Sequence, residues 1–332
     1  MEKVTVLTAV YNAEKYLRQC LDSLKNQTLT DCQFICIDDH SEDNSLSILR
    51  EYASADSRFL VLTMDRNVGQ AVARNEGLKH ASGEYIAMLD ADDWFANDTL
   101  ELAYNALKRH DADAAVLRLM QVYEGNDIVE YQINSEAESW KGIDAFTLSL
   151  DWSIHGLYVV KASIHKQYPF DTTCRLYSDD NTTRLHYLNS NLVVRCDGQY
   201  FYRKHSQSMT NACSIRRFDH MLANLSMKRF LDHEVESGND RIPESVLSLY
   251  EKNRWFNVIG CYGYYYQHRD SFSPEERKEI DKTFSVVLQS IDSSLLPLSL
   301  KMKPGYIPIK KYVVFSFLEN VFFAIRSVVK GK

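Results

Sequence analysis

Short apolar runs alternate with amphipathic segments over the first 120 residues of the chain. The run Val4–Val10 is rich in β-branched residues, and Glu14–Lys25 follows it with leucines spaced along one helix face. The same alternation then repeats. It predicts further strands at Phe34–Asp38, Phe59–Met64, Tyr85–Leu89 and Ala114–Gln121. It also predicts a turn and helix start at residues 41–45, a helix at Gln70–His80, and a helix that is capped by Asn97-Asp98-Thr99 and ends near Arg109.

Strands separated by helices of this length predict βαβ units, and therefore an α/β fold with a largely parallel sheet. Ligands of such sheets bind beyond the carboxyl ends of the strands. Polar residues that directly follow a predicted strand are therefore candidate binding residues.

The pattern is less regular between residues 122 and 205, where apolar segments occur at Leu157–Val160 and Leu192–Cys196. Helical patterns resume after Ser214. A capping box begins at Ser273, with proline at the first helical position and glutamate at the third. Residues 215–295 are therefore predicted to form a helical appendage.

The composition is that of an ordinary globular protein, with 45% apolar and 25% charged residues in 332. Seven cysteines are scattered without the spacing of a zinc or redox motif. The N-terminus runs straight into a strand pattern and predicts no signal peptide. We therefore expect a cytoplasmic protein.

Charge is distributed unevenly between the body and the last 32 residues. Residues 301–332 carry seven lysines and arginines against Glu319 alone, a net charge of +6 within a total of −7. The acidic body disfavours a nucleic-acid partner.

The apolar run Tyr312–Val329 is interrupted by polar residues, so it predicts a helix lying in a membrane interface rather than crossing the bilayer. Packing on the appendage and a homodimer contact are the alternatives.

Three carboxylates lie in the segment Leu89–Asp93, directly after the fourth predicted strand. Asp90, Asp92 and Asp93 would repel one another unless a cation or hydrogen-bond donors offset their charge. Divalent cations prefer oxygen ligands and share the phosphates of a substrate, so the cluster suggests a Mg²⁺ or Mn²⁺ site beside a diphosphate. A solvated turn is the alternative.

Two weaker clusters follow the second and third predicted strands. An aspartate of the Asp38-Asp39 pair could accept hydrogen bonds from a base or a ribose, or the pair could cap a turn. Arg74 follows Arg66-Asn67-Val68-Gly69 by one helical turn and could face a phosphate or base. The alternative role for Arg74 is an ion pair with a nearby carboxylate.

These clusters together resemble the family 2 glycosyltransferases, whose catalytic domain has the GT-A fold. The resemblance is carried by five motifs in order: Val6-Leu7-Thr8-Ala9-Val10-Tyr11-Asn12, Asp38-Asp39-His40-Ser41-Glu42-Asp43, Arg66-Asn67-Val68-Gly69, Ala73-Arg74-Asn75-Glu76-Gly77 and Leu89-Asp90-Ala91-Asp92-Asp93. It implies a GT-A domain at residues 1–210, with the nucleotide-sugar half at 1–120 and the acceptor half at 121–210. Residues 211–300 would form the appendage, and 301–332 a basic amphipathic tail.

The resemblance also implies roles for individual residues. Thr8, Tyr11 and Asp39 would hold the base of a nucleotide sugar, most often a uridine diphosphate sugar. Asn67 and Arg74 would lie nearby. The donor sugar or ribose would contact Asp90, and the metal bridging the diphosphate would be ligated by Asp92. Family members invert the anomeric configuration, which requires a carboxylate base for the acceptor hydroxyl.

Candidates for that base and for the acceptor site lie in the less regular half. Asp179 and Asp180 resemble the acidic pair of the family, and we expect Asp180 to be the base, with Asp179 as the alternative. The family often has an aromatic residue three positions later, where this chain has Thr183. His205 is a candidate metal ligand, and Trp152 and His155 are candidates for the acceptor pocket.

The resulting hypothesis is an inverting, metal-dependent hexosyltransferase that acts on a glycan or lipid-linked acceptor in cell-surface polysaccharide synthesis. A catalytically inactive nucleotide-sugar-binding scaffold is the alternative, although intact Asp90, Asp92 and Asp180 speak against it. A phosphotransferase is disfavoured because its nucleophilic aspartate would follow the first strand. A nucleotidyltransferase is disfavoured because Tyr11-Asn12 replaces a glycine-rich phosphate loop.

Overall fold

The computed structural model of the protein describes residues 2–125, 127–174, 176–204 and 213–329. The chain divides into two compact units. Unit 1 comprises Met1–Thr172 and Ser178–Ser208, and unit 2 comprises Thr173–Tyr177 and Met209–Lys332.

The described residues of unit 1 form one ten-stranded sheet with helices. Its strands are β1 (Val4–Val10), β2 (Cys32–Asp38), β3 (Phe59–Thr63), β4 (Tyr85–Met88), β5 (Trp94–Phe95), β6 (Ala114–Val122), β7 (Ile128–Glu130), β8 (Ser139–Lys141), β9 (Tyr158–Lys161) and β10 (Leu192–Arg203). Its helices are α1 (Glu14–Lys25), α2 (Ser45–Ala55), α3 (Gln70–Lys79), α4 (Thr99–His110), α5 (Gly142–Ser149), α6 (Ala162–Gln167) and α7 (Ser178–Leu188).

The sheet is mixed and mainly parallel, as the alternating pattern predicts. Its strand order is β3-β2-β1-β4-β9-β6-β10-β5, with β7 beside β6 and β8 beside β10. The first four strands of that order run parallel, and β6 runs parallel to β10. Between these two groups lies β9, antiparallel to both β4 and β6. The carboxyl ends of β1, β2 and β4 consequently meet at one edge.

Apolar residues cover both faces of this sheet, since helices pack on each side. Leu17, Leu21 and Leu24 of α1 join a core beneath one face. Ala73 and Leu78 of α3 join a second core on the other face. Burial on both faces explains why nearly every residue of β1 is buried and why the strand lacks an alternation of buried and exposed positions.

The apolar segment at Leu192–Cys196 is only the first part of β10, which continues to Arg203. The predicted capping of α4 is wrong. The Asp98 side chain makes no capping hydrogen bond, and the Leu100 amide in the first turn of α4 instead donates to Gln27 Oε1 at 3.0 Å. A side chain just beyond the end of α1, distant in sequence, therefore supplies the acceptor that the local sequence was expected to provide.

The described residues of unit 2 are predominantly helical, which confirms the helical C-terminal region. The helices are α8 (Asp219–Glu236), α9 (Glu244–His268), α10 (Pro274–Gln289), α11 (Leu298–Lys301) and α12 (Tyr312–Val329), with short 3₁₀ turns at Ile215–Phe218 and Arg269–Ser271. The predicted capping box at Ser273 and Glu276 is present. An aromatic core joins α9, α10 and α12 through Trp255, Phe284 and Phe315. Among the described helices, none has the length and apolar character needed to cross a membrane.

Candidate active site

The edge where β1 and β2 end contains buried polar atoms that lack partners. Val10, the last residue of β1, is in register with Asp38, the last residue of β2. Thr8 Oγ1 and Asp38 Oδ1 are buried, and neither has a hydrogen-bond partner in the described chain. Such atoms cost free energy unless a ligand or water satisfies them. This edge therefore has unused hydrogen-bonding capacity of the kind a nucleoside can meet.

The Asp39 carboxylate organises the loop that leads into α3. Its two oxygens accept hydrogen bonds from the amides of Val68 and Gly69, each at 2.8 Å. Gly69 has a φ of 91°, which strongly favours glycine, and the loop follows the tight path that brings both amides to the carboxylate. Asp39 is buried, whereas Asn67 in the same loop is partly exposed.

The loop after β1 is tied to the loop after β2. The Asn12 amide donates to Ser41 Oγ at 3.1 Å, and Asn12 Oδ1 accepts from the Glu42 amide at 2.8 Å. Asn12 has a φ of 49°, a left-handed conformation that asparagine tolerates. Tyr11, immediately before it, is exposed. The arrangement leaves an aromatic ring at the sheet edge accessible to a ligand.

Arg74 forms an ion pair with Asp90. The guanidinium Nη2 contacts Asp90 Oδ1, and Cζ lies 5.5 Å from the centroid of the Phe170 ring. Arg74 is only 2% exposed, while the Asp90 side chain is 38% exposed. The ion pair, one of the two possibilities for Arg74, is therefore present at the site edge, with the arginine buried and the aspartate partly exposed. Burial raises the pKa of Asp90 above its ordinary value, and the charge of Arg74 opposes this.

Asp93 holds the acidic turn after β4 in place. Its Oδ2 accepts from the Tyr200 hydroxyl at 2.8 Å, and its Oδ1 accepts from the Arg203 amide at 2.7 Å. The Tyr200 oxygen in turn accepts from the Asp90 amide at 3.2 Å. Burial, together with the charges of Asp90 and Asp92, holds the pKa of Asp93 well above its ordinary value. Sequence reasoning counted Asp93 only as a member of the acidic cluster and did not predict its contact with Tyr200.

Arg203 supports the same turn from the end of β10. Its Nε donates to the Asp92 carbonyl oxygen at 3.0 Å. Its guanidinium carbon lies 4.6 Å from the ring centroids of both Tyr16 and Trp94. These aromatic contacts restrict the arginine, so the backbone at Asp92 is fixed by a residue more than 100 positions away. Nothing local in the sequence marked Arg203 for this role.

The donor atoms of the acidic turn suit a hard divalent cation. Ligand oxygens of Asp90, Asp92 and Asp93 lie within 4.8 Å of one another. Carboxylate oxygens are preferred by Mg²⁺ and also suit Mn²⁺. Within this cluster Asp90 contacts Arg74 and Asp93 accepts from Tyr200, and Asp92 is the member that the family resemblance assigns to the metal. His205, the second candidate ligand, lies outside the described residues.

The acidic pair of α7 lies within unit 1, near the acidic turn. The negative charge of Asp179 contributes to the raised pKa of Asp90. Asp180 is 7% exposed, and its Oδ2 lies 3.9 Å from Arg184 Nη1. Burial raises the pKa of Asp180 to about 7, with Arg184 lowering it and Asp179 raising it. A carboxyl group with this pKa can accept a proton near neutral pH.

The segment before β9 lies beside α7. Arg184 Cζ lies 5.2 Å from the centroid of the Trp152 ring. A Cβ atom on Gly156 would lie 2.6 Å from Thr183 Oγ1, so the backbone at this glycine approaches α7 too closely for any side chain. This close approach also accounts for the small residue at position 183, where the family often has an aromatic ring.

His155 is buried in this segment. Its Nδ1 accepts from the Leu157 amide at 3.2 Å, and burial lowers its pKa to about 4. Its carbonyl oxygen accepts from the Tyr187 hydroxyl at 2.7 Å. His155 is therefore joined by hydrogen bonds to its own segment and to α7, and its side chain is not open to solvent.

Comparisons with known proteins agree with this architecture. The chain is 27% identical over 300 residues to the glycosyltransferase GlyG of Streptococcus pneumoniae serotype 4, which covers 84% of this chain and 94% of GlyG. It is 31% identical over 206 residues to a poly(ribitol-phosphate) beta-glucosyltransferase of Bacillus spizizenii, covering 60% of this chain and 32% of that protein. For two further relatives with shorter matches, the chain spans only 16% and 28% of their length.

A solved structure has the same fold. The crystal structure of S. aureus TarS 1-349 in complex with UDP-GlcNAc superposes with a TM-score of 0.75 at 20% identity, covering 97% of this chain and 92% of that one. This likeness confirms the expected GT-A architecture. Residues 5–207, more than half of the chain, match the family model described as glycosyl transferase family 2. The chain therefore belongs to glycosyl transferase family 2.

Proposed function

We propose that the protein transfers a sugar from a nucleotide diphosphate donor, a UDP-sugar, to an acceptor hydroxyl with inversion at the anomeric carbon. The observation that carries the proposal is the acidic turn of Asp90, Asp92 and Asp93 at the end of β4, where the negative charge of Asp179 contributes to the raised pKa of Asp90. This arrangement combines a site for a metal-bound diphosphate with a nearby carboxylate pair. A scaffold without catalysis would not require that second pair.

The donor would bind along the edge where β1 and β2 end. Tyr11 would contact the base, and the unsatisfied oxygens of Thr8 and Asp38 would receive hydrogen bonds from the nucleoside. Asp39 and Asn67 would shape this pocket through the loop that Asp39 holds. The related TarS crystallised with UDP-GlcNAc, which supports a uridine nucleotide.

A divalent cation, Mn²⁺ or Mg²⁺, would be held by Asp92, with His205 as a further ligand. When bound, the ion supplies positive charge that stabilises the departing diphosphate. Arg74 would orient Asp90 toward the ribose or the donor sugar through their ion pair. Arg203 would keep the Asp92 backbone in position during each turnover.

Asp180 would act as the general base. The acceptor oxygen would form a bond to the anomeric carbon as the bond from that carbon to the diphosphate oxygen breaks, and the acceptor proton would pass to an oxygen of Asp180. The raised pKa of Asp180 suits this transfer, since a base works best when its pKa is close to the working pH. Asp179 is the alternative base. The segment before β9 that contains His155 would border the acceptor.

The acceptor would be a hydroxyl of a glycan or of a lipid-linked glycan in cell-surface polysaccharide synthesis. The relative named as a poly(ribitol-phosphate) beta-glucosyltransferase supports a polymer of the cell surface as the acceptor class. Such acceptors are assembled at the cytoplasmic face of the membrane, where we expect the enzyme to work.

The test is calorimetric titration of the protein with UDP, GDP and dTDP, each with and without Mn²⁺, followed by turnover with the corresponding sugar nucleotides. We expect metal-dependent binding of UDP and slow hydrolysis of one UDP-sugar even without an acceptor. Binding without any hydrolysis or transfer would support the inactive scaffold. A complete lack of nucleotide binding would contradict the proposal.

A further inference from the structure

Helix α12 is apolar on two opposite faces, only one of which is packed. Its inner face contacts α9 and α10: the Phe315 ring lies 5.9 Å from Trp255 and 5.1 Å from Tyr262. The Tyr262 hydroxyl donates to Asn320 Oδ1 at 3.0 Å. Glu319, the single carboxylate of the helix, is also on this inner side and is buried. The packing on unit 2 that was one alternative for this segment is therefore present.

The opposite side of α12 carries large apolar side chains that face solvent. We define the outer face of α12 by its exposed residues Val313, Val314, Phe317, Leu318, Val321 and Ile325. Val313 is 78% exposed, Phe317 65% and Ile325 59%. A helix packed on one side of a globular unit ordinarily presents polar residues to water on the other. A continuous exposed apolar stripe marks a contact surface.

Cations surround this stripe. Lys310 and Lys311 immediately precede the helix and Arg326 follows the last member of the stripe, and all three are exposed. No acidic side chain in the described part of residues 301–329 reaches the surface, because Glu319 is buried. Within the described part of residues 301–329, the exposed charges beside the apolar stripe are therefore all positive.

We propose that the outer face of α12 docks onto an anionic lipid bilayer, with the helix axis in the plane of the interface. Because the inner face is packed on α9 and α10, the helix can present only its outer face to lipid. Apolar side chains would enter the boundary between headgroups and acyl chains, while the flanking cations contact anionic headgroups. A second copy of the chain fits less well, since pairing two such faces would bring cations together.

This inference goes beyond the transfer reaction and does not depend on it. The test is co-sedimentation of the full chain with vesicles of phosphatidylcholine alone or phosphatidylcholine mixed with phosphatidylglycerol, at low salt. We expect binding to the mixed vesicles only. In the triple variant Val313→Ser, Phe317→Ser and Ile325→Ser, the partition coefficient should be lower by about tenfold or more. In the double variant Lys310→Glu and Lys311→Glu, the partition coefficient should fall by about fivefold or more for each cation replaced.

A matched control removes three exposed apolar side chains elsewhere: Ile128→Ser, Val129→Ser and Val235→Ser. It should bind vesicles like the wild type. Circular dichroism and hydrolysis of the UDP-sugar should be unchanged in both triple variants, which separates this test from that of the transfer reaction. Equal sedimentation of the α12 variant and the wild type, or no wild-type binding to anionic vesicles, would overturn the proposal. The proposal would also be overturned if the wild type were a dimer, and the α12 substitutions converted it to a monomer without changing its binding to vesicles.

Discussion

Arg184 Nη1 lies 3.9 Å from Asp180 Oδ2, one helical turn further along α7, and both side chains are buried. The guanidinium also lies over the Trp152 ring, so the segment before β9 helps to set its position. A positive charge beside a carboxyl group favours the ionised form, and Arg184 therefore opposes the burial that raises the pKa of Asp180. If Asp180 is the base, Arg184 controls the fraction of enzyme that is ready to react.

Replacing Asp180 by Asn should leave binding of UDP and Mn²⁺ intact and reduce turnover by about a hundredfold or more, as expected for a lost general base. The amide is similar in size but cannot accept the proton. Steady-state transfer assays and calorimetry measure the two effects separately. Asp197→Asn changes an exposed carboxylate of the same unit and serves as the control. Full activity of Asp180→Asn would move the role to Asp179, which the corresponding Asn variant tests.

Replacing Arg184 by Met should raise the pKa of Asp180 above its present value of about 7. The base must be ionised to accept a proton, so activity is lost as the pH falls through this pKa. In the variant that loss should begin at a higher pH, with activity recovering in alkaline solution. The measurement is kcat/KM as a function of pH. Arg184→Lys retains the charge and should restore much of the original profile, whereas unchanged profiles in both variants would exclude this coupling.

Replacing Asp92 by Ala should abolish the part of UDP affinity that depends on Mn²⁺. The diphosphate would lose the charge that bridges it to the protein, while contacts to the nucleoside remain. Calorimetric titrations with and without Mn²⁺ measure the difference. Asp98→Ala removes an exposed carboxylate that makes no capping hydrogen bond at the start of α4, and it should behave like the wild type. An unchanged metal dependence in Asp92→Ala would contradict the ligand assignment.

Replacing Tyr200 by Phe should destabilise the protein by about 1–3 kcal/mol, because Asp93 would lose a buried hydrogen-bond donor. It should also weaken Mn²⁺ binding, since the turn that carries Asp92 would be held less firmly. Tyr187→Phe is the matched control, because its buried hydroxyl donates to the His155 carbonyl oxygen. Thermal unfolding should reveal similar losses in both variants, with a change in metal affinity only in the first.

The sequence by itself determined the order of strands and helices in the nucleotide-sugar half, except for the two-residue strand β5, which it did not predict. Apolar periodicity is a local property, so β1 was predicted with its observed bounds and β2 and β4 nearly so. The parallel sheet then required Asp38, at the end of β2, and Asp90, just after β4, to lie at one edge. Five motifs in order were enough to indicate the family, because each consists of residues adjacent in the chain.

Only the tertiary structure decided how these groups are paired and supported. Asp93 with Tyr200, Arg203 with Asp92, and Gly156 with Thr183 are contacts between segments far apart in sequence, and no local period encodes them. The same holds for α12, whose apolar residues all resemble core residues until packing divides them into a buried and an exposed face. Burial and charge pairing depend on neighbours brought together by folding, which is why the pKa of Asp180 and the role of Arg203 could not be inferred from the chain alone.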